Sequence, residues 1–316
     1  MHTNSILFID SCHPHLAQAL TAIGVQCDHD YTSTKEEIIA KLHYYTGIVI
    51  RSRFKLDAAF LNHCTPIKCI ARVGAGMENI DVDYAQTLGI QCLHAPEGNR
   101  TAVAEQCVGM LLTLFNNITI ANAQVRNGVW IREGNRGVEL EGKTVGIIGM
   151  GNMGTAFAQR LQGFGCQILV HDKYKTNIGT GYSKEVSLQE LQAKADVISI
   201  HLPYNADTHY YINETFINAC AKPIYIINTA RGKCLNTTDV VSAMQHNKVL
   251  GVCLDVLEYE TTSFETIDNK VLPAAWQYLI QSPNAILTPH IAGWTHESNY
   301  KMAEVLVQKI KGVLSL

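Results

Sequence analysis

Three segments in the second half of the chain carry side chains able to act together. Residues 226–232 read Ile-Ile-Asn-Thr-Ala-Arg-Gly, residues 251–260 read Gly-Val-Cys-Leu-Asp-Val-Leu-Glu-Tyr-Glu, and residues 287–293 read Leu-Thr-Pro-His-Ile-Ala-Gly. In each, an apolar run predicts a buried strand, and the polar residues that follow fall where open α/β sheets bind ligands, past the carboxyl end. An arginine can hold a carboxylate bidentately and polarise a neighbouring carbonyl. A histidine can exchange the proton that accompanies hydride transfer. A carboxylate against that histidine fixes its tautomer and favours its charged form. Beside a nicotinamide, this set would interconvert a 2-hydroxy acid and a 2-keto acid.

A site for the hydride carrier lies upstream. Val145, Ile147 and Ile148 predict a strand, and Gly149, Gly151 and Gly154 follow in a G-x-G-x-x-G arrangement that opens a helix carrying Met153, Phe157, Leu161 and Phe164. The first glycine makes the tight turn, the second leaves room for a pyrophosphate, and the third lets helix and strand pack closely. The helix N-terminus offers unpaired N–H groups to the phosphates. The next predicted strand ends at Asp172, about 20 residues on, where a carboxylate accepts from ribose hydroxyls and repels a 2′-phosphate. NAD is therefore expected rather than NADP.

Positioning these groups calls for two α/β units. Strands predicted at 6–10, 48–51, 68–72 and 90–93 alternate with helices at 16–23 and 34–42, the latter opened by a Thr34/Glu37 capping box. A Pro-Glu-Gly-Asn turn at 96–99 leads into one long helix, 101–127, apolar on more than one face and so buried between layers or against another chain. Alternation restarts with strands at 145–148, 167–170, 197–200, 224–227, 251–254 and 285–287, six in all, which suits a doubly wound sheet. The last segment, 297–313, predicts an amphipathic helix.

Composition narrows the classes. With 316 residues, 47% hydrophobic content and a formal charge of -3, the chain has a sizeable core and no basic footprint for nucleic acid or membrane. The N-terminus lacks the pattern of a signal peptide, and the ten scattered cysteines form no C-x-x-C pair, so a reduced, cytoplasmic compartment is expected. His13 and His15 flank Pro14 without a further ligand pattern, so no metal is expected.

Seven ordered motifs carry a resemblance over nearly the whole chain. They are Arg72-Val-Gly-Ala-Gly-Met-Glu-Asn-Ile-Asp81, Asn99-Arg-Thr-Ala-Val-Ala-Glu105, Gly149-Met-Gly-Asn-Met-Gly154, His201-Leu-Pro203, Asn228-Thr-Ala-Arg-Gly232, Asp255-Val-Leu-Glu-Tyr-Glu260 and Thr288-Pro-His-Ile-Ala-Gly293. In these the chain resembles the NAD-dependent D-2-hydroxyacid dehydrogenases. The resemblance implies a Rossmann-type doubly wound domain, 99–287, inserted into a smaller flavodoxin-like substrate domain, 1–98 and 288–316. It implies Arg231, Glu260 and His290 as the catalytic trio. It also implies cofactor contacts at Asn152, Met153, His201, Pro203, Thr208, Thr229 and Ala230, with Asp255 near the nicotinamide. The backbone at Val73, Gly74, Ala75 and Gly76 would meet the substrate carboxylate, and the long helix would support a homodimer. Within the family, Arg51-Ser52-Arg53 followed by Lys55 looks most like the D-3-phosphoglycerate dehydrogenases of serine biosynthesis, which place basic side chains at the substrate phosphate. Hydroxypyruvate, glyoxylate and D-lactate are the rival substrates, and an NAD(H)-responsive binding protein is the rival class. Two departures stand out: Thr261 follows Glu260 where proline is common, and 261–283 is long and carries Phe264, Trp276 and Tyr278. No serine-sensing regulatory domain is expected within these 316 residues.

Overall fold

A computed structural model describes residues 4–260 and 273–316. The chain divides into two compact units, Met1–Arg100 with Trp294–Leu316, and Thr101–Gly293.

In the first unit five parallel strands, β1 (Ser5–Phe8), β2 (Gln26–His29), β3 (Gly47–Ile50), β4 (Cys69–Arg72) and β5 (Gln91–His94), lie in the order β2-β1-β3-β4-β5. This is the flavodoxin-like order, whose direction reverses between β1 and β3. Strands β1, β3 and β4 are buried throughout, as parallel strands covered on both faces must be. The edge strand β2, Gln-Cys-Asp-His, has no apolar run to announce it. The His296–Leu314 helix returns to this unit. It starts at a capping box between Thr295 and Ser298 and buries Met302, Leu306 and Ile310 with Phe8, Leu16 and Val49.

The second unit holds seven parallel strands, β6 (Thr144–Ile148), β7 (Gln167–His171), β8 (Lys184–Glu185), β9 (Val197–Ile200), β10 (Ile224–Asn228), β11 (Val249–Leu254) and β12 (Ala285–Leu287). Their order, β12-β11-β10-β9-β6-β7-β8, is the doubly wound arrangement with its reversal between β6 and β9. Six strands were expected here; the seventh, β8, is a pair of exposed charged residues at the edge.

The long helix differs most from expectation. Pro96 begins the helix, so the predicted turn is its first turn, proline being suited to a position whose N–H would go unpaired. The helix then breaks into Pro96–Phe115 and Ile118–Arg126, bent by 61°. The break falls at Asn117, in the left-handed region at φ 52°, which asparagine tolerates better than most residues. Cys107, Met110, Leu111 and Leu114 pack between layers of the second unit, against Val145, Ile147, Phe157 and Cys253. No single helix is long and apolar enough to cross a membrane among the described residues.

The boundaries also shift. Residues 288–293, expected with the smaller unit, belong to the larger one, because a buried carboxylate described below ties them to β11. Of the 261–283 segment, residues 261–272, Phe264 and Thr261 included, lie outside the described residues. Trp276 and Tyr278 sit on the Ala274–Gln281 helix and pack against the core of the larger unit.

Candidate active site

The glycine loop leaves β6 with Gly149 at φ 94°, and the Asn152–Arg160 helix starts at Gly151 with no side-chain cap. Its first amides are thus left for a ligand. A Cβ on Gly154 would lie 2.0 Å from the Gly149 carbonyl oxygen, whereas one on Gly151 would meet nothing within 4 Å. The third glycine is therefore required by packing, and the second opens space. The Asp172 carboxylate does more than wait for a ribose: Oδ2 accepts from the Met150 N–H at 2.8 Å, and Oδ1 from the amides of Tyr174 (3.0 Å) and Lys175 (3.1 Å). Burial works against its charge, but these amides prevail and hold its pKa below the usual range.

Across the strand reversal, the His201 carbonyl oxygen lies 2.5 Å from where a Gly149 Cβ would stand. His201 Nε2 meets Ser199 Oγ at 2.9 Å, and its buried Nδ1 has no hydrogen-bond partner among the described residues. An orphaned buried nitrogen beside an open glycine cradle fits a polar cofactor group arriving there. Thr208, expected to face the cofactor, spends its hydroxyl on its own turn, donating to the Pro203 carbonyl at 2.7 Å and accepting from the Asn205 N–H at 2.8 Å. Thr229 Oγ1 lies 3.2 Å from Cys107 Sγ, and the Ala230 N–H donates to Asn228 Oδ1 at 3.0 Å.

The arginine, carboxylate and histidine come from the carboxyl ends of β10, β11 and β12, which are neighbours in the sheet. His290 Nδ1 lies 2.6 Å from Glu260 Oε2, both side chains largely shielded. Arg231 leaves β10 with one guanidinium N–H on the Ala230 carbonyl at 2.6 Å, while Asn228 Nδ2 donates to the Arg231 carbonyl at 3.0 Å. Residue 232 must be glycine, because a Cβ there would lie 2.0 Å from the Leu257 carbonyl carbon. That close approach seats residues 257–260 on the Arg231 loop. The second carboxylate of this stretch, Glu258, is structural: it accepts from Tyr210 Oη at 2.5 Å and from the Thr237 N–H at 3.0 Å.

His290 has a left-handed backbone, φ 56°, which for a non-glycine residue has to be enforced by its surroundings. Asp255 supplies the enforcement. Its carbonyl accepts from the His290 N–H at 2.7 Å, and its carboxylate accepts from Thr288 Oγ1 (2.5 Å), the Ile291 N–H (2.9 Å) and the Ala292 N–H (2.8 Å). Expected near the nicotinamide, Asp255 is only 1% exposed and is committed to the loop that presents His290.

In the smaller unit, the Asp10 carboxylate accepts from the amides of Arg51 (2.9 Å), Ser52 (2.8 Å) and Arg53 (2.9 Å), fixing the loop after β3. The two arginines then part. Arg53 donates to the carbonyls of Ile9 (3.0 Å), Asp30 (2.8 Å) and Ser33, which ties three of its five N–H donors to neighbouring loops. Arg51 instead lies over the Trp294 ring, 5.2 Å from its centroid, beside a cavity of about 140 Å³ lined by Ser11, Cys12, Val73, Asn299 and Met302. The Val73 amide is already used by the Ile50 carbonyl at 2.8 Å, whereas the amides of Gly74, Ala75 and Gly76 make no hydrogen bond among the described residues. Arg72 packs its guanidinium against Gly74 and donates to the Arg51 carbonyl at 3.1 Å.

A family model described as D-isomer specific 2-hydroxyacid dehydrogenase, NAD binding domain, matches residues 108–292, more than half of the chain. The chain belongs to this family. A glyoxylate reductase of Thermofilum pendens is 32% identical over 292 residues, 90% of this chain and 83% of that protein. A D-3-phosphoglycerate dehydrogenase of Bacillus subtilis is 32% identical over 282 residues, 86% of this chain and 51% of the relative. The chain spans about half the length of the curated phosphoglycerate dehydrogenases it matches. Among solved structures, D-lactate dehydrogenase from Aquifex aeolicus, complexed with NAD and lactic acid, superposes with a TM-score of 0.81 at 29% identity, covering 99% of this chain and 96% of that one.

In this member of the dehydrogenase family, His201 stays neutral. Burial lowers its pKa from 6.5 to about 4, which removes it from proton exchange near neutrality. The unfolded chain takes up a proton near pH 6.5 that the folded chain refuses until about pH 4, so stability falls as pH drops through that window. The expected loss from pH 7 to pH 5 is about 2 kcal/mol from this group. Urea midpoints at the two pH values measure it, and His201→Gln should flatten the difference.

Proposed function

We propose that the chain is an NAD-dependent dehydrogenase that interconverts a D-2-hydroxy acid and its 2-keto acid, with 3-phosphoglycerate and 3-phosphohydroxypyruvate as the leading pair. The observation that carries the reaction class is the His290–Glu260 pair at 2.6 Å, past β12 and β11, with Arg231 past β10, the next strand in the same row. When bound, NAD supplies the hydride acceptor, and its reduced form the donor. Gly149, Gly151, Asn152, Met153 and Gly154 would hold its pyrophosphate, Asp172 its ribose, and His201 with Pro203 would border it.

The chain's own residues do the rest. With Nδ1 facing Glu260, His290 has Nε2 to take the hydroxyl proton in oxidation and to return it in reduction. Glu260 sets the tautomer and stabilises the imidazolium; its other oxygen, Oε1, accepts from the Leu257 N–H, which fixes the carboxylate's orientation. Arg231 would pair with the substrate carboxylate and polarise the carbonyl. In the smaller unit, the amides of Gly74, Ala75 and Gly76 are the candidate donors to a carboxylate, and Arg51 to a distal anion.

With three of Arg53's donors on loop carbonyls, Arg51 is the main group for the tail, and the glyoxylate reductase relative favours unphosphorylated acids as the second reading. The test follows NADH absorbance with 3-phosphohydroxypyruvate, hydroxypyruvate, glyoxylate and pyruvate, for wild type and Arg51→Ala. Loss of one charge-assisted pair should raise KM for the phosphorylated acid about 10- to 100-fold and change the others little. An equal response across the panel would reject the phosphate reading, and no turnover at all with tight NADH binding would favour the NAD(H)-responsive binding role. A place in serine biosynthesis, a cytoplasmic location and a homodimer belong to the same proposal. The dimer is supported by exposed Ile118, Val125, Trp130 and Ile131 in and after the Ile118–Arg126 helix.

A further inference from the structure

We propose that Trp294 is a specificity-determining positioning residue: its indole face holds the Arg51 guanidinium at the wall of the small-unit cavity, so that this site selects 2-keto acids with a compact anionic tail. The inference deepens the reading of Arg51 as the group that meets the substrate's distal anion, and it rests on that reading.

Trp294 is 60% exposed, so little packing of its own ring holds it. Its place is nonetheless fixed, since the next residue, Thr295, caps the His296–Leu314 helix reciprocally with Ser298, at 3.0 Å each way. The Arg51 end is fixed too, by the Asp10 carboxylate on its N–H. Two anchored backbones are therefore joined by a guanidinium–indole contact, with Cζ 5.2 Å from the ring centroid. A guanidinium engaged through its face hydrogen-bonds through its in-plane N–H groups, the geometry that suits a carboxylate or phosphoryl group edge-on. A lysine or an unstacked arginine would not present that edge in a set direction.

The remaining lining agrees with a single small anion. Arg51 is the only charged residue among the seven that line the cavity. Burial raises the Cys12 thiol to about 12, with Asp10 and Cys27 adding to the rise, so it is a neutral wall and not a thiolate. Val73 and Met302 are apolar, and Ser11 and Asn299 offer neutral polar groups. The cavity, about 140 Å³, is near the size of an engineered cavity of about 150 Å³ that takes a benzene ring, about six heavy atoms. A phosphoryl ester group falls within that count.

The test compares Trp294→Ala, Trp294→Phe, Arg51→Ala and the Trp294/Arg51 double alanine variant on 3-phosphohydroxypyruvate and on tail-less glyoxylate. Trp294→Ala should raise KM for the phosphorylated acid about 3- to 30-fold, the span of a cation–π contact, with kcat and the glyoxylate KM held within about twofold. Trp294→Phe should restore part of the loss, and the two alanine changes should be non-additive, because both remove one contact. Equal effects on both acids, full additivity, or a wild type with no preference for the tailed acid would overturn the inference. If Arg51→Ala leaves the phosphorylated KM unchanged, the underlying reading of Arg51 falls. If Arg51→Ala raises it and Trp294→Ala does not, the inference alone falls. Melting temperatures exclude a folding defect, which an exposed ring makes small.

Discussion

Replacing His290 by asparagine is expected to lower kcat about 1000-fold while NADH affinity stays near wild type. Asparagine is the informative choice because position 290 sits at φ 56°, where alanine would add backbone strain to the loss of the base and confuse the two effects. What asparagine cannot do is accept and return a proton. General acid–base groups contribute about 100- to 10000-fold, and here a second contribution is lost with the first, since Glu260 would face no imidazolium. Single-turnover measurements of NADH absorbance with a 2-keto acid give the rate, and NADH fluorescence titration gives the affinity. Turnover within threefold of wild type would remove His290 from the chemistry. A proportionate loss of NADH affinity would instead mean that the loop had collapsed.

The second large effect should follow Asp255→Ala, and it should appear first as stability. Three donors, Thr288 Oγ1 and the amides of Ile291 and Ala292, would be left facing a gap in a site 1% exposed. Each buried donor without a partner costs about 1–3 kcal/mol, so the sum is on the order of 3–9 kcal/mol. Against a typical total of about 5–15 kcal/mol this is severe. Asp255→Asn keeps a carbonyl oxygen but turns an NH₂ toward a donor, and should cost less, about 1–3 kcal/mol. Urea unfolding of both variants orders them, and kcat should fall in the same order because the Asp255 carbonyl also holds the His290 N–H. Wild-type stability with a raised KM for NADH would return Asp255 to a direct cofactor role.

The parts of the fold that were legible in the sequence are those that local chemistry determines. Buried apolar runs marked β1, β3, β4, β6 and β9, and the glycine spacing marked the turn that only a close backbone approach explains. Strands β2 and β8 were missed because Gln-Cys-Asp-His and Lys-Glu hold no apolar run. The break at Asn117 was missed because the apolar pattern continues through it, while a single φ decides the direction.

At the site, residue types gave the chemistry but not the partners. Arg51 and Arg53 look equivalent two positions apart, yet one is spent on carbonyls of residues 9, 30 and 33, contacts 20 or more positions away. The roles of Asp10, Glu258, Tyr210 and Trp294 are hidden for the same reason: their partners are distant in the chain. Asp255 and Thr288 lay within quoted motifs, but nothing in a motif separates a carboxylate that meets a ligand from one that builds a loop.

The three amides gathered on the Asp10 carboxylate have a further consequence. They hold the chain at positions 51, 52 and 53 by its backbone, which every residue except proline supplies. Where a side chain stands is thereby separated from which side chain it is. Positions 51 and 52 are free to exchange residues while the loop keeps its course, and position 53, whose guanidinium ties three carbonyls, is not. A lineage or a mutant library could thus rewrite one or two letters here without rebuilding the loop that presents them.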